Sequence, residues 1–282
     1  MAGIDGQNVK MTLANSQKTS ATNSADNPTI RTLLERRSIR GFTDEPVDDQ
    51  TVALLEQAAQ HAATSRYFHE WSAIRVTDHD EALAIADMAH QHYVAEAPLL
   101  YIFLADQRRN ADLVRRFADD VDPDTTLLNT GYVFLQSQND AVLALHAMET
   151  AANALGLGGV ILGSVINDTN RLIDLLKLPK LVYPVLGLAI GHPAQDPDPK
   201  PRMPRQAQIF TNTYQRADDD ADMKDALADF DQTVTRYYRD IRHMDDPHRS
   251  FSAMMADKVR NPASGHEPML DSIRRQGFDP AC

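Results

Sequence analysis

The chain has a single cysteine, no long apolar run and fewer basic than acidic residues. Its only cysteine is Cys282, the last residue, so no disulfide can form within the chain, which fits a reducing compartment. No run approaches the ~18 apolar residues of a membrane span, and no apolar signal segment or arginine-rich transit pattern is visible at the N-terminus. The sequence therefore predicts a cytoplasmic protein that does not enter a membrane.

The charge balance and the histidines exclude two further classes of partner. With 28 basic against 40 acidic residues, the formal net charge is -12. A surface of that sign repels nucleic acid and anionic lipid, so neither is expected to bind. His90, His92 and His146 have no carboxylate or cysteine at a recognised ligand spacing, so we expect no metal site.

The composition changes sharply near residue 27. Residues 1–26 are rich in Ser, Thr, Asn, Gln and Ala, and such a segment buries too little apolar surface to offset the entropy of ordering. We expect a flexible N-terminal arm there, followed by one domain over residues 27–282. Within this domain, the polar stretch at about 243–265 is predicted to be mobile.

Apolar periodicity within the domain alternates between helical and strand spacing. Helices are predicted near 28–37, 52–62, 139–155, 168–176, 222–241 and 269–275, and strands near 72–77, 99–105, 160–163 and 182–190. This order predicts an α+β or α/β-like fold, in which helices wrap a sheet.

Three arginines stand within five positions after the first predicted helix, in the run Arg36-Arg37-Ser38-Ile39-Arg40. Close guanidinium groups repel one another unless an anion lies nearby, and arginine binds phosphate through two parallel hydrogen bonds. Cations at a helix C-terminus also interact favourably with the helix dipole. From these residues alone, a phosphate site and a solvated basic helix end are about equally supported.

Two further patterns are compatible with a phosphorylated ligand. In Lys200-Pro201-Arg202, two cations flank a proline that restricts the backbone, although an exposed basic loop accounts for this pattern somewhat better. Glycines at 156, 158, 159 and 163 surround a short apolar run, and glycine lets a flat ring approach backbone N–H groups. A helix cap followed by a strand end also explains these glycines.

These patterns occur in the order found in the nitroreductase superfamily. Residues from about Thr29 to Phe278 resemble its NADPH-dependent, oxygen-insensitive major nitroreductase and flavin reductase group. The matching stretches are RRSIRGFTDEPV at 36–47, LGLGGVILGSVIN at 155–167, LLKLPKLVYPVLGLAIGHPAQDPDPKPRMP at 175–204 and RRQGF at 274–278. The resemblance implies a central, mostly antiparallel sheet wrapped by helices, and a homodimer that holds two FMN molecules at the subunit interface.

The resemblance also implies which residues bind FMN. Arg36, Arg37 and Ser38 match the first phosphate-binding stretch, whereas Arg40 would face the N1/C2=O edge of the flavin. The other implied contacts are Lys200 and Arg202 at the phosphate, Ser65 and Gln91 as polar contacts, and Ile161, Leu162, Gly163 and Ser164 beside the flavin N5/O4 edge.

The implied activity is transfer of hydride from NADPH or NADH, through FMN N5, to a nitroaromatic, quinone or flavin acceptor by a ping-pong mechanism. No catalytic side chain is expected, because the cofactor carries the chemistry. A flavin-binding storage or sensor protein with little turnover is the alternative. The chain departs from its relatives at residues that would contact the donor or the acceptor, which are Tyr67, Ile166 and His266. Candidates for binding the NADPH 2′-phosphate are Arg239, Arg242 and Arg249, although a solvated helix end explains at least some of them.

Overall fold

The computed structural model describes residues 27–122, 127–244, 249–260 and 269–281, so the predicted N-terminal arm lies outside the described residues. The helices are α1 (Pro28–Leu34), α2 (Asp49–Gln60), α3 (His79–Ala89), α4 (Tyr93–Glu96), α5 (Arg108–Phe117), α6 (Gly131–Ala154), α7 (Thr169–Leu175), α8 (Ala221–Arg236), α9 (Phe251–Arg260) and α10 (Met269–Arg275). The strands are β1 (Trp71–Val76), β2 (Leu99–Asp106), β3 (Gly158–Leu162) and β4 (Val182–Gly191). A π-helical turn, Tyr237–Ile241, continues α8.

The four strands form one sheet in the order β1-β2-β4-β3, and all three pairings are antiparallel. The two central strands, β2 and β4, are buried along almost their whole length, as their continuous apolar sequences require. The predicted α+β fold with an antiparallel sheet is therefore confirmed.

Helices cover both faces of the sheet, and β2 shows how the two layers are built. Tyr101 and Phe103 pack into a core that includes buried residues of α2 and α6. Leu100 and Ile102 point to the other face and join a core that includes residues of α3 and α7. Successive side chains of a strand face opposite sides, so this one segment contributes to both hydrophobic cores.

Several helices differ from the sequence prediction. The long helix α6 begins at Gly131 rather than near 139. Helices α3, α4 and α5 were not predicted, and the polar sequence of α5 buries only Ala111. The span 243–265, predicted as mobile, contains α9, whose Phe251 ring lies 5.4 Å from that of Phe230 on α8. Residues 245–248 and 261–265 of that span lie outside the described residues.

The end of α6 places β3 against the run 36–40. Gly156 has a φ of 79°, a conformation that suits glycine and ends the helix. A Cβ on Gly158 would lie 2.6 Å from Ile39 Cγ1, so a glycine is needed for the two segments to approach. Ser38 then forms a parallel bridge with Gly159, and the arginine run passes beside β3.

Candidate functional site

A basic cleft of about 180 Å³ forms where the run 36–40 meets the proline-rich loop after β4. Six basic side chains line it: Arg36, Arg37, Arg40, Lys200, Arg202 and Arg242. Ser38 lies among them, and Arg202 Nη2 donates a hydrogen bond to the carbonyl oxygen of Arg36 at 3.4 Å. The structure thus joins two basic clusters that are far apart in the sequence.

The buried side chain of Ile39 fixes the arginine run in the cleft. Ile39 is 4% exposed, and its N–H donates to the carbonyl oxygen of Gly159 at 3.0 Å. Its neighbours Ser38 and Arg40 both line the cleft. Arg37 lines the cleft too, because the run is extended without being a regular strand.

The cleft carries an excess of positive charge. Asp198 is the one carboxylate among its lining residues. Arg37 also pairs with Asp196 outside the lining, and Arg36 Nε donates to Glu149 Oε1 at 2.7 Å. A concentration of cations in a chain of net charge -12 favours a multiply charged anion, and arginine suits phosphate. This arrangement supports the phosphate site over a solvated helix end.

Aromatic side chains form another side of the cleft. Tyr237 and Tyr238, from the π-helical turn after α8, line it beside Arg242. The Tyr237 hydroxyl donates to the carbonyl oxygen of Asp198 at 3.4 Å, and the Arg249 guanidinium carbon lies 5.6 Å from the centroid of the Tyr238 ring. The predicted donor-binding residues Arg242 and Arg249 are therefore gathered at the edge of the cleft.

The predicted ring-binding residues lie at the far end of β3. Gly163 is exposed, and a Cβ built there would meet no atom within 4 Å, whereas Ile161 and Leu162 pack their side chains into the cores. Gly159 and Gly163 lie four positions apart, which along a strand is roughly 13 Å at ~3.3 Å per residue. Strand β3 therefore extends from the basic cleft to the open turn at Gly163. Ile166 follows this turn, on a short 3-10 helix.

Three predicted contact residues lie elsewhere in the single chain. Ser65 and Tyr67 belong to the loop before β1, where Tyr67 is 81% exposed, and Gln91 follows α3 and accepts a hydrogen bond from the Tyr93 hydroxyl at 2.5 Å. None of these three lines the basic cleft. His266 lies outside the described residues, so its predicted contact with the donor or acceptor stays a prediction.

Several buried carboxylates were not predicted from the sequence, among them Glu70, Asp140 and Glu149. Burial raises the pKa of Glu70, and the negative charge of Asp140 raises it further. Asp140 and Glu149 share the buried face of α6 with Ala144 and Met148. A charged residue at helical spacing within an apolar stripe was the signal that could have revealed them.

Two observations test whether the site fits a molecule with a phosphate at one end and a flat ring at the other. Arg37 Nε is buried and has no hydrogen-bond partner in the described part of the chain, and the same holds for Ser164 Oγ. Such buried polar atoms usually find partners. One lies at the cationic end and the other beside the open turn at Gly163, so the residues present fit such a molecule.

Other kinds of site were not found in the described ranges. No group of three or more His, Cys, Asp or Glu side chains there could hold a metal ion. Across the same residues, no helix combines the length and apolar character needed to cross a bilayer.

Two family models match the chain. The model described as "Nitroreductase family" matches residues 33–192, and that described as "Nitroreductase family, C-terminal domain" matches residues 200–280. The first covers the sheet and most of its helices, and the second begins within the proline-rich loop and extends to residue 280.

Curated relatives and solved structures agree with these matches. The chain is 35% identical over 215 residues to an FMN reductase (NADPH) of Bacillus subtilis, covering 76% of this chain and 84% of the relative. It is 36% identical over 212 residues to an oxygen-insensitive NADPH nitroreductase of Salmonella typhimurium, covering 75% and 82%. The structure of a nitroreductase from B. subtilis is similar with a TM-score of 0.81 and 31% identity, covering 89% of this chain and 98% of that one. The predicted nitroreductase-type fold is therefore confirmed.

Proposed function

The chain belongs to the nitroreductase family, and we propose that it is an FMN-dependent oxidoreductase that uses NADPH to reduce small-molecule acceptors. The observation that carries this proposal is the basic cleft, in which two distant basic clusters meet beside β3. The relatives described above are named as NADPH-dependent reductases of FMN and of nitro compounds.

The phosphate of FMN would lie in the basic cleft. Arg37, Ser38, Lys200 and Arg202 line it and can each donate a hydrogen bond to a phosphate oxygen. The buried Arg37 Nε would gain a partner there. Arg36 lines the same cleft, although its Nε is already bonded to Glu149.

The flavin ring would lie towards the end of β3. When bound, FMN would supply the hydride transfer at N5, chemistry that no protein side chain has to provide. Gly163 and Ser164 would offer backbone N–H groups to the ring edge, whereas Ile161 and Leu162 contribute only their backbone because their side chains pack into the cores. Arg40 would place a positive charge beside the ring and favour its reduced, more negative form.

The electron donor would bind at the outer side of the cleft. Arg242 lines the cleft and the Arg249 guanidinium lies 5.6 Å from the Tyr238 ring, and two cations suit the 2′-phosphate that distinguishes NADPH from NADH. The proposed acceptors are nitroaromatics, quinones and free flavin. Tyr67 and Ile166 remain candidates for contacts with the acceptor.

The active unit would be a homodimer. Every residue of α1 is at least partly exposed, and Ile30, Leu33 and Leu34 are among its exposed apolar side chains. Tyr132, Leu135 and Leu143 on α6 are exposed as well. An apolar surface of this kind marks a protein contact, and a second copy would also bring Ser65 and Gln91 to a flavin that they do not reach within one chain.

The experiment that tests this function starts with purified protein incubated with FMN. A retained yellow cofactor that bleaches rapidly when NADPH is added without oxygen is the expected result. Failure to gain flavin absorbance would refute the proposal. Protein that stays yellow with NADPH would instead be the storage or sensor protein of the alternative, which the enzymes related to this chain do not support. The cytoplasmic location stays a prediction.

A further inference from the structure

A buried carboxylate lies directly behind the basic cleft. Glu149 on α6 has a side chain that is 1% exposed, and its Oε1 accepts a hydrogen bond from Arg36 Nε at 2.7 Å. A negative charge next to an anion site weakens anion binding by Coulomb repulsion. Glu149 must therefore contribute something other than charge if it aids the cleft.

Arg36 connects several groups of the cleft. Its Nη2 lies 3.4 Å from Ser38 Oγ, and its backbone carbonyl accepts a hydrogen bond from Arg202 Nη2 at 3.4 Å. Both partners line the cleft and are proposed to hold the phosphate. Fixing the side chain and backbone of Arg36 therefore fixes a hydroxyl donor and a cation at once.

Glu149 is suited to fix Arg36, because it is itself immobilised. Its neighbour Met148 and the residue one turn later, Ala152, are buried in the core against the sheet. The Glu149 carbonyl accepts a hydrogen bond from Asn153 Nδ2. Oε2 lies 3.3 Å from Nδ1 of the exposed His146, a contact that contributes little to holding the carboxylate compared with its burial. A buried carboxylate also needs a cationic partner to offset its loss of hydration, so the pair holds Arg36 in one place.

We infer that Glu149 is a positioning residue for the flavin phosphate, acting through Arg36 on Ser38 and Arg202. The inference rests on the proposed function, because it assumes that the ligand of the cleft is FMN. Its distinctive consequence is the direction in which a substitution at Glu149 changes the affinity for FMN. Removing this negative charge should weaken binding of the anionic cofactor, whereas simple electrostatics predicts tighter binding.

The test compares FMN with riboflavin, which has the same ring and ribityl chain but no phosphate. The flavin-free full-length chain is titrated with each, and quenching of flavin fluorescence gives the Kd. Glu149→Leu, which fills a similar volume without an acceptor, should raise the Kd for FMN about tenfold, equivalent to 1.4 kcal/mol. The Kd for riboflavin should not change. Glu149→Gln keeps an oxygen for Arg36 Nε and should recover most of the FMN affinity.

A matched control is His146→Ala, which removes the exposed side chain that contacts the other oxygen of the Glu149 carboxylate and leaves Arg36 in place. Its Kd for FMN should equal that of the wild type. A loss as large as that of Glu149→Leu would overturn the role of Arg36. Unchanged or tighter FMN binding by Glu149→Leu, or an equal loss for FMN and riboflavin, would overturn the inference as well.

The outcomes also separate this inference from the proposed function. A wild-type chain that binds no FMN would refute the function itself, whereas wild-type binding with an unaffected Glu149→Leu would refute only the role of Glu149. If Glu149→Leu does not fold, Arg36→Lys provides the same comparison. Lysine keeps the charge but lacks the guanidinium that reaches Glu149 and Ser38 together, so FMN binding alone should weaken. Equal binding of FMN by this variant and the wild type would overturn the inference.

Discussion

Asp140 on α6 holds the backbone of Ser65, since its Oδ1 accepts a hydrogen bond from the Ser65 N–H at 2.9 Å. Its Oδ2 accepts bonds from Thr64 Oγ1 at 2.5 Å and from the Glu70 N–H at 3.2 Å. The loop between them contains three non-glycine residues with positive φ, which are Arg66, Tyr67 and His69. Because such conformations are strained, a buried carboxylate that binds both ends of the loop stabilises it.

Asp140→Asn should lower the free energy of unfolding. The substitution removes the charge and replaces one acceptor oxygen with a donor, so we expect a loss of about 1.5–3 kcal/mol, typical of a hydrogen bond to a charged group. Urea denaturation followed by circular dichroism measures it. Asp225→Asn, at an exposed position on α8, is the control and should change stability by less than about 0.5 kcal/mol. Equal stabilities for the two variants would contradict the anchoring role.

Glu70 should make stability depend on pH. Its pKa is raised above the ordinary 4.5, first by burial and then by the charge of Asp140, while Gln107 and Arg66 act in the opposite direction. The folded state therefore binds the proton more tightly than the unfolded state. The stabilising effect of the protonated form is fully present below the ordinary pKa and is lost as pH rises through the raised value.

The comparison of Glu70→Gln with the wild type isolates this effect. The variant stays neutral, so its stability relative to the wild type should increase as pH rises from the ordinary pKa of a glutamate towards neutrality. Urea denaturation of both proteins at several pH values is the measurement. A difference in stability that does not vary with pH would show that Glu70 titrates normally.

Substitution by alanine should destabilise the fold at Gly158 in β3 but not at Gly163 in the turn after it. Gly158→Ala would drive a Cβ to within 2.6 Å of Ile39 Cγ1, so we expect a loss of stability of about 1–3 kcal/mol. Gly163→Ala meets no atom within 4 Å and should change stability by less than about 0.5 kcal/mol.

Flavin affinity should separate the two glycine variants. With Gly163→Ala, the added methyl group would stand between the backbone and the flavin ring, so FMN and riboflavin should both bind more weakly to a stably folded protein. Calorimetric unfolding and flavin titration provide the two measurements. Normal flavin affinity in Gly163→Ala would place the ring elsewhere.

Arg242→Ala should raise the KM for NADPH by about tenfold and leave the KM for NADH unchanged. Arg242 lines the basic cleft, and the loss of one charged hydrogen bond to the 2′-phosphate corresponds to about this ratio. Steady-state assays with a quinone acceptor measure both constants. Arg236→Ala, on α8 but outside the cleft lining, is the matched control. If the KM values for NADPH and NADH rose equally, Arg242 would not bind the 2′-phosphate.

Local sequence patterns predicted the elements well where one force dominates. The apolar runs of β2 and β4 indicated strands because both of their faces are buried. The start of α6 was missed because Gly131 and Thr130 are weak local signals, while the burial of Val133 and Phe134 against the core extends the helix. Similarly, α9 was missed because the contact of Phe251 with Phe230 is a tertiary one.

The sequence by itself determined the family and the two basic clusters at Arg36 and Lys200, because each is written in contiguous residues, and the resemblance to the family implied the antiparallel sheet. It left a phosphate site and a solvated helix end equally supported. Tertiary structure alone decided that both clusters line one cleft, that Glu149 holds Arg36, and that Asp140 holds Ser65. The physical reason is that burial selects these pairs. A buried carboxylate must find a donor wherever the fold brings one, and local periodicity does not specify which one that is.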